Sequence, residues 1–447
     1  MSAPSEIEGQ PAPADAIRGP YGRTGYRWYV LALLTVIYTC HAIDRGMPNI
    51  LLEPIRHEFG LKDSQLGLFS GLAYALSFSL SILPMGYLSD RANRRNFLGI
   101  IVLAWSACTA LGGFAQNFVQ LVLARVGVGA AESGAAPVAM PMIADIFPAR
   151  TRGSALGVFY LSNAVGVLVA STVGAYVAAT HGWRMAFFLA GLPGILLAVL
   201  LFTTVIEPRR GAAEVDAVAG ESAGPPPKLS ETFLFLFRNP GLICLILGCG
   251  ILGMISITMG AWAGSFFIRI HHLNLPQVGL ILGFGGGGAA AVSPLLFGWL
   301  GDRLGQRDPR LTLLAVAAAA LVALACGLGM LFAPSVMLAV VLLVLADTCR
   351  MGYSPPCYAV LMDKTPVRLR GATMSIMQLT TNVFGFGVGP LLVGFLSDLY
   401  GGETALRYAM ANALGLLVIA ALLLIGAVGL LYGWKRGTGM PTAGPRV

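Results

Sequence analysis

The chain has 447 residues, of which 56% are hydrophobic and 11% charged, with a formal net charge of +8. Soluble domains carry about a quarter charged residues, so a water-facing coat is excluded and lipid must be the solvent for most of the surface. Cys40, Cys108, Cys244, Cys249, Cys326, Cys349 and Cys357 all lie in apolar runs without a CxxC pair, which excludes a disulfide framework and a zinc site.

Residues 1–26 are rich in Pro, Ala and Gly, lack an apolar run and read as a cytoplasmic tail, not a signal peptide. A helix needs about 20 apolar residues to cross the hydrocarbon core. Runs of that kind predict spans near 27–56, 64–89, 96–115, 119–146, 151–180 and 184–206, which form a first six-helix bundle over 27–206. Residues 207–239 are a linker containing Pro225-Pro226-Pro227, and its last part, ETFLFLFRNP, is expected to lie along the membrane surface. A second bundle over 240–434 has spans near 240–269, 275–300, 311–332, 335–362, 370–399 and 404–434, followed by a tail over 435–447. Trp183 and Trp434, near span ends, fit interfacial anchors.

The 29 Lys and Arg residues orient these spans. All but Arg45, Arg56, Lys62, Arg125, Arg184, Arg269, Arg350 and Arg407 fall in the tails, the linker and the loops after spans 2, 4, 8 and 10. The positive-inside rule then puts both termini and the linker in the cytoplasm, which requires an even number of spans. The positive charge is spread over many short loops, so no nucleic-acid surface is indicated.

An internal repeat runs through the chain. GYLSDRANRR (Gly86–Arg95) and GWLGDRLGQR (Gly298–Arg307) both fit G-x-L-x-D-R-x-x-x-R at an offset of 212. FPARTRG (Phe147–Gly153) matches TPVRLRG (Thr365–Gly371), and ESGAAP (Glu132–Pro137) matches RMGYSP (Arg350–Pro355), both at 218. Three matches in one order mean a duplication in like orientation.

The repeated loop signature resembles that of the major facilitator superfamily. The resemblance covers nearly the whole chain and implies an all-α membrane protein, with twelve transmembrane helices in two pseudo-symmetric six-helix bundles. It further implies a central cavity that opens alternately to each side. Asp44-Arg45 in span 1, RVGVGAAESG (Arg125–Gly134) in span 4 and the FPARTRGSALG continuation resemble the Spinster-like family. That likeness implies transport of a sphingolipid-like or lysophospholipid solute.

In the loop signature, Gly86 is expected to admit a neighbouring helix, and Asp90 to pair with Arg91, Arg94 and Arg95 and cap the next helix. Asp302, Arg303 and Arg307 repeat this cytoplasmic gate motif in the second half. For the arginines, plain positive-inside topology competes with that role.

Asp44, Arg45, Arg125, Glu132, Asp347 and Arg350 lie well inside spans. Each would cost about 2.5–3.5 kcal/mol facing lipid, so they are expected to face water or one another. Arg125 and Glu132 are two turns apart on one helix face, roughly 10 Å along the axis. Asp347 and Arg350 can pair directly. Asp44 and Arg125 fall at similar depth and are expected to pair, leaving Arg45 as a partner for Glu132. Such a set is either a structural salt-bridge network or a proton-coupling switch of Asp44, Arg45, Arg125 and Glu132, with the arginines also holding an anionic head group.

His41, Tyr353 and Asn382 are expected beside the charged residues in a substrate cavity; Tyr358, Asn163 and Gln378 are further polar candidates. Gly127 and Gly129 follow no strand, so they read as close helix packing and not as a nucleotide loop. Gly285–Gly288 read as tight packing or a hinge, and Gly166, Ala170, Gly174 and Ala178 as a helix contact stripe. No metal cluster, catalytic triad or ATP motif is found, so neither an enzyme nor a cofactor is expected. The expected protein is a monomeric secondary transporter of a bacterial inner membrane, with membrane lipids, protons and an amphipathic or anionic small molecule as partners. A carrier of small organic anions and a non-transporting receptor of the same fold are the alternatives.

Overall fold

The computed structural model describes residues 20–208 and 229–433. The tails, most of the linker and Trp434 lie outside the described residues, as does the Asp90 side chain. Among the described residues every regular element is helical, and twelve helices are long and apolar enough to cross a membrane. Spans 1 to 6 are Thr24–Ile50, Asp63–Ser89, Arg94–Gly112, Phe118–Ile146, Arg150–His181 and Trp183–Thr204. Spans 7 to 12 are Pro240–His271, Leu275–Gly305, Pro309–Leu331, Val336–Lys364, Val367–Tyr400 and Ala405–Tyr432. The twelve-span all-α fold expected from the sequence is the one observed.

Two compact units emerge. The first holds residues 20–61, 73–208 and 273–283, and the second 62–72, 229–272 and 284–433. Spans 2 and 8 therefore change unit part-way along. Each does so at or beside a π-helical turn, Leu68–Leu72 and Ile281–Gly286, whose starts are separated by the same spacing as the repeat, within a residue. A third π turn, Val383–Val388, interrupts span 11. Glycines 285 and 286 belong to the π turn of span 8 and its margin. A Cβ at Gly285 would come 3.2 Å from Val344, whereas one at Gly288 would meet nothing within 4 Å, so close packing holds at the start of the glycine run and not at its end.

In the first unit, the small-residue stripe of span 5 packs on span 1. A Cβ at Gly166 would fall 2.4 Å from Ala42, one at Gly174 would meet Met47, and Ala170 faces Gly46. Span 4 breaks after Glu132, where Ser133 and Gly134 separate the helices Phe118–Glu132 and Ala135–Ile146. Pro137 lacks the N–H that would bond the carbonyl of residue 133, which accounts for the break. Span 10 breaks at the matching place, between Met351 and Ser354, and Pro355 acts there in the same way.

The loop repeat FPARTRG/TPVRLRG has a related physical cause. Pro148 cannot bond the Ala144 carbonyl four residues earlier, and Arg152 donates to it from the next helix at 3.1 Å. In the second half Pro366 frees the Met362 carbonyl, and Arg370 fills it at 3.0 Å. Each pair is a proline that opens an acceptor and an arginine that closes it.

Trp183 is buried at 4% exposure, which corrects its reading as an interfacial anchor. Its indole donates to Glu58 at 2.6 Å, and Phe59 and Phe187 pack edge-on against it. Arg184 also bonds Glu58 and holds that carboxyl below its ordinary range.

Within the second unit, Arg269 grips Asp63 with both guanidinium ends at 2.8 Å, and Ser397 donates to Asp63 at 2.6 Å. The Asp398 carboxylate accepts the Asp63 and Ser64 amides at 2.9 Å each. It thereby caps the positive end of the helix that starts span 2. The helix Leu229–Arg238 precedes span 7 and turns Phe233, Leu234 and Phe237 outward while burying Thr232 and Leu236.

Candidate functional site

In the first unit His41, Asp44, Arg125 and Glu132 are buried in one cluster with Arg45 and Tyr74. Span 1 supplies His41, Asp44 and Arg45; span 2 supplies Tyr74; span 4 supplies Arg125 and, at its break, Glu132. Tyr38 stacks on His41 with ring centres 4.7 Å apart, and Trp105 meets the His41 ring edge-on at 6.0 Å.

Arg125 reaches the depth of Asp44, as expected, but bonds differently. Its guanidinium donates to the Asp44 backbone carbonyl at 2.9 Å and approaches the Arg45 carbonyl at 3.5 Å. No ion pair joins it to the Asp44 carboxylate among the described residues, so the predicted pairing is corrected. Pro48 gives the reason: it lies four residues after Asp44 and lacks the N–H that would occupy that carbonyl. The Asp44 carboxylate faces Thr109 of span 3, yet neither of its oxygens makes a hydrogen bond of normal geometry within the described residues.

Glu132 receives a 2.7 Å hydrogen bond from the Tyr74 hydroxyl on Oε2, and the His41 Nε2 lies 3.5 Å from the same oxygen. Its Oε1 is buried without a hydrogen bond among the described residues. Arg125 stands 4.6 Å and Arg45 5.7 Å from the centre of the Tyr74 ring, within cation–π range.

The second unit holds a different arrangement. Arg350 donates to Asp347 Oδ1 from Nε at 3.0 Å and from Nη2 at 2.5 Å, as the three-residue spacing predicted. Its third nitrogen approaches the Ile255 carbonyl at 3.5 Å, and Ser256 donates to the Arg350 carbonyl at 3.2 Å. Tyr353 is buried across the span 10 break, and Asn382 is half-buried on span 11 with no hydrogen bond to the pair.

Arg94 and Arg95 of the gate motif have partners outside it, while the Asp90 side chain lies outside the described residues. Arg94 pairs with Asp145 at 2.5 Å. The amides of Arg94 and Arg95 donate to Glu207 at 2.9 and 2.7 Å, and Asn93 accepts from Asn96 at 2.9 Å. Helix capping thus belongs to Glu207 and Asn93, and in the second half to Asp308, which accepts from the Arg310 amide at 2.9 Å. Arg91 and Arg303 lie over Tyr87 and Trp299, at 4.0 and 5.4 Å from the ring centres. Asp302 and Arg307 lie on or just after the same turn of span 8, both exposed. A Cβ at Gly86 would meet nothing within 4 Å, so close helix approach is not its role.

Residues 34–327 and 272–445 match the model of the Major Facilitator Superfamily. The chain belongs to this superfamily. It is a multi-pass membrane transporter, and its relatives are transporters, not enzymes. It is 29% identical over 401 residues to an MFS-type efflux pump of Mycolicibacterium smegmatis, covering 90% of this chain and 91% of that one. It is 26% identical over 438 residues to a D-galactonate transporter of Escherichia coli, covering 91% and 97%. A crystal structure of a bacterial homologue of the human lysosomal transporter Spinster, inward-facing and unoccupied, superposes with a TM-score of 0.84. That homologue is 27% identical and the match covers 93% of this chain and all of that one, which bears out the Spinster-like resemblance read from spans 1 and 4.

Tyr38, Pro48, Tyr74, Trp105 and Thr109 are the residues of this major facilitator's first-unit cluster that sequence reasoning missed. Pro48 carried a signal, since a proline always opens the carbonyl four residues before it. The other four carried none, because their contacts depend on how neighbouring helices and rings pack.

Proposed function

We propose that this chain is a proton-coupled secondary transporter of the bacterial inner membrane. It acts as a monomer by alternating access, with both termini in the cytoplasm. The observation that carries the reading is the contrast between two buried charge clusters. Asp347 and Arg350 satisfy each other, whereas Asp44 and one oxygen of Glu132 are buried without hydrogen bonds among the described residues. A buried carboxylate left unanswered costs several kcal/mol as an ion, so a group that carries a proton in part of the cycle fits there. Glu132 and Asp44 are the proton sites, and Arg45 and Arg125 hold the anionic part of the solute.

The Spinster-like resemblance favours an amphipathic anion such as a lysophospholipid, with the acyl chain against apolar walls. The D-galactonate transporter among the relatives supports a second reading, a small organic anion. The test is flux into proteoliposomes of labelled lysophosphatidylglycerol and of D-galactonate, with and without an imposed pH gradient. The wild type is expected to accumulate one of them only with the gradient, and Glu132→Gln and Asp44→Asn to lose that dependence. Gradient-driven accumulation kept by both variants removes the proton role; binding without flux in the wild type makes the protein a receptor.

A further inference from the structure

Tyr74 bonds the Glu132 carboxylate through its hydroxyl, while its ring lies within cation–π range of both Arg45 and Arg125. It is 1% exposed, and its place depends on two features of the sequence. The π turn Leu68–Leu72 ends two residues before it. Such a turn inserts an extra residue and so rotates the side chains that follow relative to an α-helix. Gly129 lies opposite: a Cβ there would come within 2.7 Å of the Tyr74 carbonyl and 3.2 Å of its ring. The glycine set aside as a nucleotide loop is what lets span 2 seat Tyr74 against span 4.

We propose that Tyr74 is a positioning residue that sets how tightly Glu132 holds a proton and passes the protonation state of Glu132 to Arg45 and Arg125. The proposal rests on the reading of Glu132 as a proton site. A phenol donates a strong, charge-assisted bond to an ionised carboxylate and a weaker one to a neutral carboxyl. When Glu132 takes up a proton, the tether on the hydroxyl loosens, and the ring face offered to the two arginines shifts with it. The arginines are thereby released toward, or withdrawn from, an anionic solute. The titratable and charged groups around Glu132 are His41, Asp44, Arg45 and Tyr38 from span 1, Tyr74 from span 2 and Arg125 from its own helix. Of these, Tyr74 is the group bonded to Glu132 that also faces both guanidiniums.

The test uses the full chain in lipid and needs no solute. Infrared difference spectra are recorded across a pH titration, and the Glu132 carboxyl band is assigned by its loss in Glu132→Gln. Tyr74→Phe keeps the ring and removes the donor, so Glu132 should bind its proton roughly tenfold more tightly. Gly129→Ala should act in the same sense by displacing Tyr74. The guanidinium bands should move together with the carboxyl band in the wild type, and stop doing so in Tyr74→Phe and in Tyr74→Leu, which lack the hydroxyl tether. An unchanged carboxyl midpoint in Tyr74→Phe, or guanidinium bands that still follow it in either variant, overturns the role of Tyr74 alone. A wild-type spectrum without any titrating band that Glu132→Gln removes ends the proton-site reading, and this proposal with it.

Discussion

Asp347 and Glu132 are both buried acids near the breaks of spans 10 and 4, but in the repeat Glu132 matches Arg350 and Asp347 matches Gly129, and their surroundings make them different objects. Arg350 answers Asp347 through two nitrogens at one oxygen, so this pair acts as a staple between turns of span 10. Removing one partner strands the other's charge in a dry interior and should cost about 3–5 kcal/mol. Replacing both by apolar residues of similar size should be near neutral. Asp347→Leu or Arg350→Met alone is therefore expected to lower the thermal midpoint in detergent strongly. The double variant should recover most of it and keep transport. If the double variant is stable but transports nothing, the second-unit pair belongs to the transport machinery and the staple reading is wrong. The spacing of three was enough to see this pair in the sequence, because both members share one helix and helix geometry places them. The Asp44–Arg125 contact was visible only as a depth, since which atom a guanidinium finds on a neighbouring helix depends on packing and on the carbonyl that Pro48 leaves open.

Elements repeat as faithfully as motifs do. FPARTRG and TPVRLRG look like topological charge in the sequence, but each arginine has a backbone acceptor, opened by the proline four residues before it. Arg152 and Arg370 serve Ala144 and Met362 in the same way. A buried carbonyl left unsatisfied costs about 1–3 kcal/mol, and Ala144 is only half-buried, so Arg152→Ala should destabilise the end of span 4 by less than that. Pro148→Ala restores the missing N–H and should make the Arg152→Ala change nearly harmless. Hydrogen exchange over residues 144–150 checks the cycle: fast exchange in the single variant, near wild-type exchange in the double. Equal losses in both would show that Arg152 acts through its charge and not through the carbonyl. The same logic explains why the breaks in spans 4 and 10 could be aligned from ESGAAP and RMGYSP, whereas the capping by Glu207 could not. A proline acts on its own helix, but Glu207 reaches the Arg94 and Arg95 amides from the far end of the first bundle's sequence.

At the scale of the whole molecule, hydropathy and duplication made the span count readable, because a bilayer demands about 20 apolar residues per crossing whatever the packing. Neither signal distinguishes residues 62–72 and 273–283 from the rest of spans 2 and 8, although they pack with the other unit. Apolar periodicity is the same on both sides of a π turn, so unit membership is invisible until the helices are placed. Orientation is a separate matter, decided by where positive charge resists translocation. Arg56 and Lys62 are the basic residues between spans 1 and 2, whereas Arg91, Arg94 and Arg95 cluster at the end of span 2 and the start of span 3. A fluorescent protein fused to either terminus should therefore fold and fluoresce, and alkaline phosphatase inserted between residues 58 and 62 should be active outside the cytoplasm. With both termini inside, the Arg94–Asp145 and Glu207 contacts lie on the cytoplasmic face, and the Asp63–Arg269 cluster lies on the opposite one. Phosphatase activity from a terminal fusion would reverse that assignment.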